Sequence, residues 1–120
     1  MKLEGVYSVL PTPFTASGDL DLESLKRVID LFIGAGVNGL TALGVTSEVA
    51  RMNDIERVKV LETVVGHVNG RVRVVAGATA DGVRTCIDYT RFARDSGARA
   101  AEKTTVGKTM RASKTLYATL

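Results

Sequence analysis

Three short apolar runs begin near residues 5, 39 and 72, and this spacing of about 33–34 residues is the feature that most constrains the fold. Each run is followed by a segment whose apolar residues recur at helical spacing. Helical repeat arrays have a similar period, but each unit here opens with a β-rich run, which favours βα units. Short strands without polar alternation are typical of a parallel sheet with right-handed crossovers.

The element boundaries follow from local signals. Asp21 is predicted to cap the first helix, and Asn53 the second, with Glu56 three residues later in a capping-box arrangement. A third helix is predicted from about Val83 to Ser96, with Asp81 as its cap. The predicted strands are Val6–Leu10, Gly39–Leu43 and Val72–Ala76. The predicted inward face of the third helix is Val83, Cys86, Ile87, Thr90 and Ala93.

Length and composition narrow the class of protein. A chain of 120 residues, 45% hydrophobic and 24% charged, is typical of one globular domain. No apolar run approaches the roughly 18–20 residues that span a bilayer, and the first residues lack the layout of a signal peptide. The single cysteine, Cys86, cannot form an internal disulfide. We therefore expect a cytoplasmic protein without membrane partners.

The basic charge is confined to one end of the chain. Residues 1–100 carry twelve Lys or Arg and twelve Asp or Glu, so the net charge of +3 comes from residues 101–120. With no basic face on the body and six aromatic residues in all, nucleic-acid binding is not expected. A basic arm that binds an acidic partner remains an alternative for the tail. Its charged residues are Lys103, Lys108, Arg111 and Lys114, opposed by Glu102.

The repeat also breaks at this point. A fourth strand is expected from Ala98, but the sequence after Ala101 is too polar for a buried parallel strand. Ser113 is a possible start of a further helix. We therefore predict two parts, a regular βα segment over residues 1–100 and an atypical basic tail over 101–120 that is an altered or truncated sequence.

Three stretches in order resemble one enzyme family. Gly5–Phe14 ends in Thr-Pro-Phe, Gly44–Glu48 resembles a Gly-Ser/Thr-Thr-Gly-Glu loop, and Val74–Gly77 resembles a strand followed by glycine. Together they make Gly5–Ala98 similar to the N-terminal part of the dihydrodipicolinate synthase and N-acetylneuraminate lyase family. These are class I (Schiff-base) aldolases. The resemblance implies an α/β fold in which parallel βα units form the first, incomplete part of a TIM (β/α)8 barrel.

The resemblance also implies a substrate site. In such barrels the functional groups follow the carboxyl ends of the strands. Thr46 and Ser47 are the implied substrate-binding residues, with hydroxyl and N–H groups that bind the carboxylate of pyruvate or a related 2-oxo acid. Val45 and Ser47 depart from the family pattern, the first removing a donor and the second adding a side chain. Glu48 is expected to anchor the loop by accepting backbone N–H bonds.

The family's catalytic pair is not matched in this sequence. The resemblance implies an imine-forming lysine near strand six and a proton-relaying tyrosine near strand five. None of the candidate residues lies in these contexts: Lys103, Lys108, Lys114, Tyr7, Tyr89 and Tyr117. We therefore expect no catalytic residue, no cofactor and no metal site, and an inactive fragment or altered copy of a lyase whose intact relatives are homo-oligomers.

Two interpretations stay open at this stage. A complete, non-catalytic α/β binding module of flavodoxin-like size also fits the length. The small-residue loop Gly77–Gly82 is equally consistent with close approach of a ligand and with a tight turn. Cys86 is expected to be a buried, inert thiol, and His67 is expected to interact with the carboxyl end of the second helix.

Overall fold

Four parallel strands lie side by side in the order in which they occur in the chain. The computed structural model describes residues 3–106 and 113–120. The strands are β1 (Tyr7–Val9), β2 (Gly39–Ala42), β3 (Arg73–Gly77) and β4 (Ala100–Val106). A doubly wound flavodoxin-like sheet would have the order 2-1-3-4-5. The observed order is instead that of consecutive barrel strands, so the predicted parallel βα units are confirmed.

Three helices connect the strands at the predicted places, and the predicted caps are confirmed for the first two. They are α1 (Leu22–Gly34), α2 (Asp54–Val68) and α3 (Val83–Asp95). Asp21 accepts the Ser24 N–H at 3.0 Å. Asn53 and Glu56 form the reciprocal capping box, with N···O distances of 2.9 and 3.2 Å. None of the described helices is long and apolar enough to cross a membrane.

The helices pack on one face of the sheet. Leu40 and Ala42 of β2 share a buried cluster with Val74 and Ala76 of β3 and with residues of all three helices. Because side chains alternate along a strand, the residues between them point to the opposite face. We call this opposite face the inner face and define it by the registered residues Val9, Thr41, Val75 and Ala100. The helix-side members of the cluster are Leu25, Ile29, Val60, Leu61, Val64, Val68 and Ala93.

The predicted inward face of α3 is wrong for two of its five residues, and two more are only half-buried. Ala93 is buried, but Val83 is 71% exposed and Ile87 44% exposed. Phe92 packs against the core instead. The helix is therefore rotated toward α2 relative to the prediction, and within the described part of the chain no further helix covers its apolar stripe. Cys86, expected to be buried, is half-buried.

The structure corrects both predictions for the tail. A parallel strand does form at Ala100. The polar sequence does not prevent it, because only Ala100–Glu102 pair with β3, and the first two of these residues are small and buried. The polar remainder of β4 pairs only with β5 (Ser113–Thr119), which is antiparallel to it. The segment after Ser113 is therefore a strand and not a helix, since it completes backbone hydrogen bonds along the open edge of β4.

A polar cluster joins α1 to the end of α2. The His67 Nε2 atom lies 2.9 Å from Asp30 Oδ1, and the Arg71 Nη2 atom lies 3.0 Å from the same oxygen. The hydrogen bond to His67, followed by that from Arg71, lowers the pKa of the Asp30 carboxyl. Arg71 also donates to the carbonyls of His67 and Val68. It therefore takes the contact with the helix end that was predicted for the His67 side chain.

Gly77, the last residue of β3, allows two backbones to meet. A Cβ atom at this position would lie 1.9 Å from the Leu43 carbonyl oxygen and 2.6 Å from its carbon. Leu43 has a φ of 59°, which turns the chain after β2 directly over Gly77. A side chain at residue 77 would force these backbones apart, so the glycine here serves close packing of two strand ends.

We predict opposite stability effects for two glycine substitutions. Gly77→Ala should destabilise the fold by about 3 kcal/mol, since its methyl group would overlap a backbone carbonyl that cannot move independently. Gly66→Ala, within α2 and facing open space, should stabilise it by about 0.5–1 kcal/mol. Denaturant unfolding of the two variants measures the difference. Equal stabilities would contradict the close approach of Leu43 and Gly77.

Candidate functional site

The candidate site lies where the parallel strands end. The Leu10 N–H, just after β1, donates to the Thr41 carbonyl at 2.9 Å. The Ala78 N–H, just after β3, donates to the Glu102 carbonyl at 2.8 Å. These bonds continue the backbone hydrogen bonding of the sheet beyond the strands. They hold the loops that follow at the carboxyl ends of the strands. The loop after β2, Gly44–Glu48, which we call the site loop, lies between them.

The site loop has an unusual backbone. Val45–Ser47 form a single 3-10 turn, flanked by two non-glycine residues with left-handed backbones. These are Leu43, with φ of 59°, and Glu48, with φ of 60°. Each such residue costs about 1–3 kcal/mol, so this shape persists only where surrounding contacts impose it. The Ser47 and Glu48 N–H groups close the turn on the carbonyls of Gly44 and Val45 at 3.0 Å.

Ser47 supplies one of those contacts. Its side chain is 1% exposed, and its hydroxyl donates to the Leu10 carbonyl at the end of β1. The same oxygen accepts the Gly44 N–H at 3.2 Å. The hydroxyl therefore links the site loop to the neighbouring strand end, and its O–H is already used. Where the family pattern has glycine, this chain has a side chain that fixes the loop.

Thr46 lies at the exposed tip of the loop. Its side chain is exposed, and in the part of the chain that the structure describes its hydroxyl forms no hydrogen bond. The N–H groups of Val45 and Thr46 likewise have no acceptor among those residues. Three donors from consecutive residues are thus available at the carboxyl end of β2. An ionised carboxylate has enough lone pairs to accept several of them at once.

Two predicted side-chain roles near this edge are wrong. The Glu48 carboxylate does not anchor the loop. It faces Arg51 at 3.9 Å in an exposed ion pair, and its backbone carbonyl, not its carboxylate, accepts the Arg51 N–H. Asp81 does not cap α3, since the residue at the cap position is Gly82 and no side chain bonds there. The helix begins one residue later than an Asp81 cap requires.

A buried cation near the site was missed by sequence reasoning. Arg57 is 7% exposed, although it lies on α2. Its Nη2 atom donates to the Gly77 carbonyl at 3.3 Å, and its guanidinium lies 3.8 Å from the centre of the Tyr89 ring. Burial lowers the pKa of Arg57. The sequence did contain one signal for this burial. Arg57 stands four residues before Leu61, which is buried, so the two side chains lie on the same face of the helix.

Tyr89 extends this contact to the start of α2. Its hydroxyl donates to Asp54 Oδ1 at 2.9 Å. Burial, followed by this hydrogen bond, raises the pKa of the Tyr89 phenol. The chain of contacts from Gly77 through Arg57 and Tyr89 to Asp54 therefore ties α3 to α2. It also engages the only polar atom of Tyr89, which leaves the phenol without a free role at the strand ends.

A cleft of about 400 Å³ opens beside these residues. Its lining comes from the site loop, the start of α2, the loop after β3 and Tyr89 of α3. The small residues Thr79 and Ala80 leave the cleft open, whereas Gly77 is needed for the packing on Leu43. The loop Gly77–Gly82 thus combines a tight strand end with an accessible surface.

Comparison with known proteins places this site in a family. Residues 2–105 match the model of the dihydrodipicolinate synthetase family. The 4-hydroxy-tetrahydrodipicolinate synthase of Methanococcus vannielii is 38% identical over 96 residues, which are 80% of this chain and 33% of that protein. The chain therefore spans about a third of the length of the curated relatives it matches.

Solved structures agree with the fold. A dihydrodipicolinate synthase structure matches with a TM-score of 0.81 at 39% identity, over 84% of this chain and 35% of that one. The dihydrodipicolinate synthase from Aquifex aeolicus matches with a TM-score of 0.79 at 29% identity, over 82% and 33%. The predicted incomplete barrel is confirmed, because the aligned part is an uninterrupted run of βα units.

We predict that Ser47 is required for stability and that Thr46 is not. Ser47→Ala should cost about 1–3 kcal/mol, because the buried Leu10 carbonyl and Gly44 N–H would lose their partner. Thr46→Ala, at an exposed position, should change stability by less than about 0.5 kcal/mol. Urea unfolding of both variants tests this. A Ser47→Ala protein as stable as the parent would show that the hydroxyl does not hold the loop.

Proposed function

Because the chain belongs to the dihydrodipicolinate synthetase family, we propose that its site loop binds the carboxylate of a small 2-oxo acid such as pyruvate. The family consists of class I aldolase-type lyases. In the intact relatives, as we propose, a lysine imine formed with the keto carbon allows a carbon–carbon bond to form or break. The residues described above would supply the substrate-orienting part of that site.

The observation that carries this proposal is the set of free donors on the site loop. The N–H groups of Val45 and Thr46 and the Thr46 hydroxyl point to an anionic acceptor, since hydrogen bonds to a charged group are about twice as strong as neutral ones. Thr46 is the substrate-contacting residue in this proposal. Ser47 acts through the loop, as a positioning residue that keeps Thr46 at the end of β2.

The departures from the family pattern set the expected strength of binding. Val45 offers only a backbone N–H, and its side chain is exposed and apolar. The Ser47 hydroxyl is used by Leu10. We therefore expect weak binding, at millimolar concentrations, because two of the side-chain positions in the loop contribute no direct hydrogen bond to the acid.

We further propose that these 120 residues do not catalyse the reaction. The Tyr89 hydroxyl is bonded to Asp54 on the helix side of the sheet. Tyr7 lies against Gly39 at the opposite, amino ends of the strands. Tyr89 lines the cleft beside the site loop, but its hydroxyl is held by Asp54, and Tyr7 lies at the far end of the strands, so we propose neither as a proton relay. The side chains of Lys103, Lys108, Lys114 and Tyr117 lie outside the described residues, and the family resemblance gives none of them a role.

The proposal also covers the cellular location of the protein and its binding partners. A reduced cysteine and a small metabolite as ligand are consistent with a cytoplasmic protein that uses no nucleic acid, membrane or metal. Intact relatives are proposed to assemble as homo-oligomers. The exposed apolar residues Val83 and Ile87 on α3 are consistent with an outer face that is covered in a longer or assembled protein.

Titration with pyruvate, followed by amide NMR of the labelled chain, tests the proposal. Saturable shifts are expected at the Val45 and Thr46 amides. Thr46→Ala should weaken binding about tenfold, since one hydrogen bond to a charged group is lost. Thr63→Ala, on α2 and away from the loop, serves as the matched control and should bind as the parent does. Absence of saturable shifts at the site loop would overturn the proposed function.

A further inference from the structure

Glu102 places a carboxyl group on the inner face, beside the site loop. Its Cα is registered with Gly77 of β3. Its Oε1 atom lies 3.9 Å from the position that a Cβ atom on Gly44 would occupy. Thr41 and Val9 surround the same position, with side-chain carbons at 3.7 and 3.1 Å. The carboxyl therefore reaches from β4 across the sheet toward the first residue of the site loop.

The described side chains around this carboxyl do not neutralise it. Glu102 is half-buried, and its carboxyl group forms no hydrogen bond or ion pair with the side chains that the structure describes, which are those of residues 3–102, 119 and 120. The residues that face it are Val9 on β1, Thr41 on β2 and Gly77 on β3, none of which titrates near neutral pH. In β5 its registered neighbour is Tyr117. The negative charge, when present, is thus compensated by none of the side chains described among residues 3–102.

An ionised Glu102 opposes the ligand proposed above. Two unit negative charges about 6 Å apart, at an effective dielectric constant of about 20, weaken association by about a hundredfold. Screening by salt and solvent reduces this effect, and we expect at least about tenfold. Protonation removes the charge and leaves a hydroxyl that can donate to the bound acid.

We propose that Glu102 is a specificity-determining residue that excludes anionic 2-oxo acids from the site loop while it is ionised and admits them once it is protonated. The inference rests on the proposed function of the site loop. Burial raises the pKa of the Glu102 carboxyl above its usual value of 4.5, which favours protonation at milder acidity. The residue lies just after the change in composition at residue 100, so the altered tail would itself impose the restriction.

The test compares pyruvate binding to three proteins between pH 7 and pH 5, with the site-loop amides as the readout. The full chain should bind more tightly as the pH falls, whereas pyruvate stays ionised throughout. Glu102→Gln should bind at least about tenfold more tightly than the parent at pH 7, with little pH dependence. Glu62→Gln, which removes an exposed carboxylate on α2, should behave as the parent.

The outcomes separate this inference from the proposed function. If parent and Glu102→Gln bind pyruvate equally at every pH, the role of Glu102 is overturned and the carboxylate site stands. If neither protein shows saturable binding at any pH, the carboxylate site itself fails, and the role of Glu102 with it. If Glu62→Gln tightens binding as much as Glu102→Gln, the effect is one of net charge, and the specific role is overturned.

Discussion

The parallel pairing of β1 to β4 in chain order is the constraint on which the rest of this structure depends. It places the loops after three successive strands at one edge of the sheet and all three helices on one face. Pairing with this register brings Leu10, Gly44 and Gly77 within reach of one another. The strained turn of the site loop persists only because the Ser47 hydroxyl and the Leu43–Gly77 contact both hold it.

The same arrangement separates two kinds of polar residue. Arg57, Tyr89 and Asp54 lie on the helix side, where they satisfy one another and join α2 to α3. Thr46 and Glu102 lie at the strand ends and on the inner face, with no polar partner among the described residues. Groups of the first kind stabilise the fold, whereas groups of the second kind are available to a ligand. This division is why the proposed chemistry concerns the site loop and not the larger set of buried polar contacts.

Much of the fold was predictable because the signals were local. The caps at Asp21 and Asn53 depend on neighbouring residues, and the strands on short apolar runs. The position of the site loop also followed from its motif. The predictions that failed concern features that depend on residues far away in the sequence. The orientation of α3 depends on Phe92, which packs against the core, and on Tyr89, which contacts Arg57 and Asp54 of α2. Likewise, β5 forms because β4 offers an edge. Ser47 shows the same limit, since its motif position was recognised but its bond to Leu10 spans 37 residues.

We propose that these residues carry the carboxylate-binding part of an aldolase site without the lysine that forms the imine. Borohydride reduction in the presence of pyruvate, followed by intact-mass measurement, tests it most directly, because reduction converts any lysine imine into a stable adduct. The account predicts that the mass of the chain stays unchanged under conditions in which pyruvate occupies the site loop. A stoichiometric adduct at a single lysine, identified by peptide mapping, would contradict it.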